Sequence, residues 1–178
     1  MNLTTFTVSS KLKEYGEIKE LICQVFPKNE QIPMWLLKVL ALRENVQFLA
    51  YYDNGVFCGL SYTVCTDKMV FVLYLAVNDK IRSKGYGTVI IQHLKELYKN
   101  TPISLNIEAI DINADNYEQR VRRQEFYRKN GFYDTGHKIA DNGELYSILL
   151  NGNDFNIDDY CSVIKQFSFG FYVPKVRQ

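Results

Sequence analysis

Apolar positions early in the chain recur at three- and four-residue intervals. Tyr15, Ile18, Leu21, Ile22, Val25 and Phe26 form one such stripe, which predicts a helix over 15–26. Pro27 ends it, because the residue before a proline is pushed out of the helical region. A second helix is predicted to open at Pro33, a favoured first position, and to run through Trp35 and Leu42. It is apolar nearly all round, so the rest of the domain or a ligand must cover it. From Val46 onward the period changes. Segments 46–52, 56–66 and 69–77 are rich in Val, Phe, Tyr and Thr and read as three antiparallel strands. Asp53-Asn54-Gly55 is a strong hairpin turn, since Asn and Gly tolerate positive φ, and Thr66-Asp67-Lys68 is a weaker one. Segment 69–77 is apolar on both faces, the mark of a central strand covered on each side.

Helical spacing returns over 85–98, with Ile90, Leu94 and Leu97 on one stripe. Segment 103–109 then reads as a strand, and 120–130 as a helix stopped at Gly131, which suits a left-handed cap. Strands 132–139 and 144–150 flank another turn, Asp141-Asn142-Gly143. An amphipathic stretch over 158–167 and a short strand over 169–173 complete the chain. A strand–helix–strand unit in an otherwise antiparallel sheet implies at least one parallel pair, reached by a right-handed crossover. The expected class is α/β (α+β), a mixed and mostly antiparallel central sheet flanked by helices.

Composition narrows the function. A chain of 178 residues is one domain, with or without a short appendage, and 47% hydrophobic against 23% charged residues excludes a disordered polymer. The 21 basic and 20 acidic residues nearly cancel, which argues against a nucleic-acid coat. Cys23, Cys58, Cys65 and Cys161 form no C-x-x-C pair, and only His93 and His137 stand ready to join them, so no metal is expected. The longest apolar run, 69–77, is far short of the ~20 residues that span a membrane. The first residues carry no basic-then-apolar leader pattern. These features predict a cytoplasmic protein with reduced thiols that pack and do not react.

The chemically informative stretch is Val77-Asn78-Asp79-Lys80-Ile81-Arg82-Ser83-Lys84-Gly85-Tyr86-Gly87-Thr88. It leaves a buried strand and enters a helix through two glycines. A helix start offers unpaired N–H groups and partial positive charge to a phosphate, and Arg82 and Lys84 add charged donors. On their own, Gly85 and Gly87 are weak evidence for phosphate and read first as the cap of a tight turn. Neither a G-x-x-x-x-G-K-[ST] loop nor the third glycine of a dinucleotide turn is present.

Arg82-Ser83-Lys84-Gly85-Tyr86-Gly87 resembles the R/Q-x-x-G-x-G/A signature of the GNAT superfamily of acetyl-CoA-dependent N-acetyltransferases. Two further stretches are similar to that family: the preceding strand Phe71-Val72-Leu73-Tyr74-Leu75-Ala76-Val77, and Phe126-Tyr127-Arg128-Lys129-Asn130-Gly131-Phe132 at the end of a helix. The resemblance covers about 4–150 and implies a GNAT domain over 1–150 with a C-terminal extension over 151–178 packed on it. It implies that strand 69–77 splays from strand 103–109 at the acetyl-CoA site. Pantetheine would then bond to the main chain near Leu75, Ala76 and Val77. The N–H groups of Ser83, Lys84, Gly85, Tyr86, Gly87 and Thr88 would hold the diphosphate, with Arg82 beside them. The amine would attack the thioester directly in a ternary complex.

Two proton transfers follow from that implied reaction. Tyr127 occupies the place of the acid that protonates the leaving thiolate, its competing role being an aromatic anchor for the helix. Glu108, on the polar side of an alternating strand, is the candidate base for the amine, in competition with ordered water. One departure stands out. Where family members often carry Asn and Ala, seven and four residues before the Tyr, this chain has Arg120 and Arg123, with Asn116 a turn upstream. Either Asn116 contacts pantetheine or the arginines, Arg123 among them, meet cofactor phosphate. Acidic Glu108, Asp111, Asp115 and Glu118 would attract a cationic acceptor, a small molecule or a peptide amine. The resemblance is compatible with a homodimer and implies neither membrane nor nucleic-acid partners. The alternative to an enzyme is a non-catalytic acyl-CoA-binding or regulatory module on the same fold.

Overall fold

The computed structural model describes residues 3–78, 85–141 and 143–178. Its elements run β1 (Leu3–Thr7), α1 (Tyr15–Val25), a 3-10 turn (Lys28–Glu30), α2 (Met34–Leu40), β2 (Val46–Asp53), β3 (Val56–Cys65) and β4 (Val70–Val77). They continue with α3 (Tyr86–Leu97), β5 (Ile103–Glu108), α4 (Tyr117–Lys129), β6 (Tyr133–Asp141), β7 (Glu144–Asn151), α5 (Ile157–Phe167) and β8 (Val176–Arg177). The strands are ordered β1-β2-β3-β4-β5-β7-β6-β8. The chain divides into two compact units, Met1–Val64 with Leu73–Leu97, and Cys65–Val72 with Tyr98–Gln178.

In the first unit, β2 pairs antiparallel with β1 on one side and with β3 on the other. Asn54 (φ 50°) and Gly55 (φ 78°) close the β2–β3 hairpin with two positive φ angles, as its sequence predicts. The β2–β3 register shifts between Tyr51 and Tyr52, leaving Gly59 opposite Tyr51. A Cβ at Gly59 would strike the Ala76 carbonyl oxygen and lie 3.2 Å from Val77 Cα. Only glycine lets the end of β4 approach this closely. Tyr51, Cys58, Tyr86 and Ile90 form a buried cluster, with Leu75 and Val77 packed against it.

α1 buries Ile18, Leu21 and Ile22, and extended Phe26 (φ −107°, ψ 138°) ends it before Pro27. α2 departs from expectation. Pro33 stands just outside the helix, and Leu37 and Leu40 are buried while Trp35 is 64% and Leu42 84% exposed. A helix of two turns presents only one narrow face to the domain, so Met34 and Leu36 are half-buried and Trp35 and Val39 stay exposed. The segment between α1 and α2 is fastened to β4. The Tyr74 hydroxyl donates to the Glu30 carbonyl (2.5 Å) and accepts the Ile32 N–H (3.0 Å), and its ring lies 4.5 Å from that of Phe26.

In the second unit, β4 and β5 form the parallel pair through Val70↔Ile103, Phe71↔Ser104 and Val72↔Leu105. β5 pairs antiparallel with β7 from Ile103↔Asn151 to Glu108↔Tyr146. α5 is capped by Asn156, whose side chain accepts the Asp159 N–H (3.0 Å). It inserts fully buried Tyr160, whose hydroxyl donates to Asn106 Oδ1 (2.9 Å). The strand expected over 169–173 is not formed. Phe169 (φ 53°) instead closes α5 in a Schellman cap, with Phe169 N–H on Gln166 (3.4 Å) and Gly170 N–H on Lys165 (2.8 Å). The edge strand is β8, paired to β6 through Ile139↔Val176 and Lys138↔Arg177.

Candidate active site

The first unit supplies a helix start. Gly85 has φ 80°, and its carbonyl accepts the Val89 N–H (3.2 Å), the first bond of α3. A Cβ there would meet nothing within 4 Å, so backbone conformation and not space requires the glycine. Tyr86 turns its ring into the core, and its hydroxyl donates to Asp53 Oδ2 (3.0 Å), tying the start of α3 to the β2–β3 hairpin. That hydrogen bond and burial push its phenol up to about 12. Gly87 and Thr88 fall in the first turn of α3. Ala76 is buried on β4, between half-buried Leu75 and Val77. Asn78 pins the strand's end, donating its N–H to Cys58 (2.8 Å) and its amide to Phe57 (3.0 Å). Arg82, Ser83 and Lys84 lie outside the described residues.

The second unit supplies the titratable groups. The parallel register ends at Val72↔Leu105, although β4 runs on to Val77 and β5 to Glu108. α4 is polar along most of its length, yet it buries Arg120 and Tyr127. It starts one turn earlier than its sequence suggests, at Tyr117 after Asn116. It ends in a Schellman cap, with Gly131 (φ 78°) donating to Arg128 (3.0 Å) and Phe132 to Tyr127 (3.0 Å). The Tyr127 ring sits edge-on to Phe126 and Phe132, with centroids 5.2 Å and 5.6 Å away. Its side chain is 8% exposed, and no described residue hydrogen-bonds to its hydroxyl. Burial pushes this phenol up to about 12, against the opposing pull of the Arg123 guanidinium.

Glu108, Asn116 and Arg123 come together, joined by Arg120. Arg123 Nη1 reaches Glu108 Oε2 at 2.6 Å, and Asn116 Nδ2 reaches Oε1 at 3.1 Å. Arg120 Nη2 lies 3.3 Å from both Glu108 Oε1 and Glu144 Oε2. Its Nη1 donates to the Ala109 carbonyl (2.9 Å) and its Nε to Asn116 Oδ1 (2.7 Å). Burial raises the Glu108 pKa, but the hydrogen bonds from Asn116 and Arg123 and both guanidinium charges outweigh it, and the carboxyl lies below its ordinary value. Asn116 and Arg120 therefore spend their polar groups inside the protein, and Glu108 contributes little free negative charge to the acidic stretch. Glu144 escaped sequence reasoning because it lies 36 residues beyond Glu108 and is brought near only by β5–β7 pairing. Gly59 was missed too, since nothing near it in sequence reports the approach of Ala76.

The acetyltransferase (GNAT) domain family matches residues 44–134, from just before β2 to the start of β6. The chain belongs to the GNAT acetyltransferase family. The GNAT domain is 38% identical over 66 residues to YjbC of Bacillus subtilis (strain 168), a match that covers 37% of this chain and about a third (32%) of that relative's length. Its fold is similar to a GNAT-family protein from Bacteroides thetaiotaomicron, with TM-score 0.74 and 21% identity over 97% of this chain and 100% of that one. It is also similar to an aminoglycoside 6′-N-acetyltransferase complexed with coenzyme A, with TM-score 0.62 and 15% identity over 86% and 99% of the two chains. Among the described residues of the GNAT domain, no helix is long and apolar enough to cross a membrane, and no group of three His, Cys, Asp or Glu side chains is placed to hold a metal.

Proposed function

We propose that this chain transfers an acetyl group from acetyl-CoA to a primary amine by direct attack in a ternary complex. Pantetheine bonds to the main chain at Leu75, Ala76 and Val77. The diphosphate takes the N–H groups of Ser83, Lys84, Gly85, Tyr86, Gly87 and Thr88, with Arg82 as a further charged donor. Tyr127 carries the reading. Its phenol is buried, protonated at neutral pH and fixed between two rings, with a hydroxyl that no described residue uses. Such a group is suited to protonating a departing thiolate. The family match and a coenzyme A-bound relative of the same fold support acetyl-CoA as the donor.

The attacking amine must also lose a proton. Glu108 stays ionised, but two arginines and an asparagine already engage it, which weakens it as a base. We assign that proton to water, with Glu108 holding the arginines. The aminoglycoside-modifying relative makes a polyamine-like small molecule a natural first acceptor to try, alongside peptide amino termini. The occupied state of Glu108 is also the one observation that favours a non-catalytic acyl-CoA-binding module. Titration with acetyl-CoA followed by thiol release against spermidine, lysine, kanamycin and a peptide amine separates these readings. Binding with release is expected. Binding without release from any amine supports the module, and no binding rejects both.

A further inference from the structure

Building on Tyr127 as the proton donor, we propose that Arg123 is a positioning residue for that step: anchored by Glu108, its guanidinium stabilises the phenolate left when Tyr127 gives up its proton. Arg123 stands one helical turn before Tyr127 on α4, so the two side chains share a face. Its Nη1 is held at 2.6 Å by Glu108 Oε2, while Asn116 and Arg120 occupy the other carboxylate oxygen. The Arg123 side chain is 32% exposed, against 9% for Arg120, and its only ion pair among the described residues is to Glu108. Arg120 is committed to Glu108, Glu144, Asn116 and the Ala109 carbonyl. Arg123 is thus the cation of this cluster with donors to spare.

The charged group that acts on the phenol is Arg123 on the same helix, itself paired with Glu108 on β5. A buried phenolate is costly, and a cation one turn away lowers that cost. The electrostatic influence of Arg123 on Tyr127 has this sign. As the amine nitrogen bonds to the thioester carbon and the C–S bond breaks, the Tyr127 proton passes to sulfur and its electron pair stays on the phenolate oxygen. The proton shed by the amine returns to that oxygen through water, so the cycle closes without oxidant or further reactant. An arginine where the family often has alanine is then functional and not a neutral replacement.

The test uses the full chain with acetyl-CoA and the amine panel above. R123Q is expected to lower kcat by about tenfold or more with the KM for acetyl-CoA within about threefold, and R123K to keep most of the activity. Replacing Tyr127 with 3-fluorotyrosine, a more acidic phenol, is expected to restore at least about half of the loss in R123Q, because ring acidity substitutes for the missing charge. Lost turnover with no such restoration assigns Arg123 to the fold alone and overturns the inference. E108Q, which loosens the anchor, is the second background for the same rescue should R123Q fail to fold. Y127F separates the two layers. If Y127F is inactive while R123Q is unimpaired, only the Arg123 inference fails; if Y127F keeps full turnover, or no amine releases thiol, the underlying reading fails with it.

Discussion

Tyr127 and Phe132 are joined twice: the Phe132 N–H donates to the Tyr127 carbonyl at 3.0 Å, and the two rings pack edge-on with centroids 5.6 Å apart. They are the outer partners of the cap that ends α4, so one device stops the helix and fixes the proposed acid. Gly131, between them at φ 78°, makes the turn possible. Gly131→Ala is expected to cost about 1–2 kcal/mol, the ordinary penalty for a left-handed non-glycine residue. Because Tyr127 would lose its fixed orientation, kcat should fall more than the KM for either substrate changes. Thermal denaturation and steady-state kinetics on the same variant check both parts.

Gly59 admits the backbone of Ala76 and Val77 to β3. Gly59→Ala must push back a strand backbone that cannot rotate away, and a loss of about 1–3 kcal/mol is expected, as for other overpacked cores. The displaced residues are those proposed to bond pantetheine, so the acetyl-CoA dissociation constant should rise as well. Calorimetric titration of the folded variant tests this, and unchanged affinity would detach Ala76 and Val77 from the donor.

The carboxyl of Glu108 has its folded pKa below the ordinary 4.5, so the native state favours the ionised form. Its contribution is complete above about pH 5 and is lost as pH falls through the folded value. E108Q is expected to destabilise the protein by about 1–3 kcal/mol at neutral pH, the scale of hydrogen bonds to charged groups. The difference from wild type should shrink in acid. Denaturant midpoints from pH 3 to 7 provide the measurement. Turnover should also fall, through Arg123, while the acidic limb of kcat/KM stays in place. A displaced limb would return the base role to Glu108.

Tyr74 holds the segment between α1 and α2 through its hydroxyl. Tyr74→Phe leaves the Glu30 carbonyl and the Ile32 N–H without their common partner and removes little volume. A cost of about 1 kcal/mol is expected. If that segment forms the acceptor pocket, the acceptor KM rises severalfold and the acetyl-CoA KM does not. Equal changes in both would place the acceptor elsewhere.

Much of the fold was legible because its determinants are local. The β2–β3 hairpin follows from Asn54-Gly55, the end of α4 from Gly131, and the start of α3 from Gly85, all positive-φ positions in the structure. The C-terminal tail misled because the aromatic-rich run Phe169-Gly170-Phe171-Tyr172-Val173 reads as a strand. Phe169 nevertheless takes a left-handed angle to complete the cap of α5, and β8 forms where β6 offers an open edge. For α2, periodicity identified the helix but could not report that only Leu37 and Leu40 would be buried while Trp35 stays exposed.

The sequence by itself determined the order of elements from α1 to α5, the turns, the helix start at Gly85 and the placing of Tyr127 before Gly131, because periodicity and backbone angles depend on residues a few positions apart. Tertiary structure alone decided that Glu108 is tied to Arg120 and Arg123, that Gly59 lies under Ala76, and that the β4–β5 register stops after three pairs. Each of those depends on which group arrives from a distant part of the chain, and ion pairing, close approach and strand pairing exist only once both partners are in place.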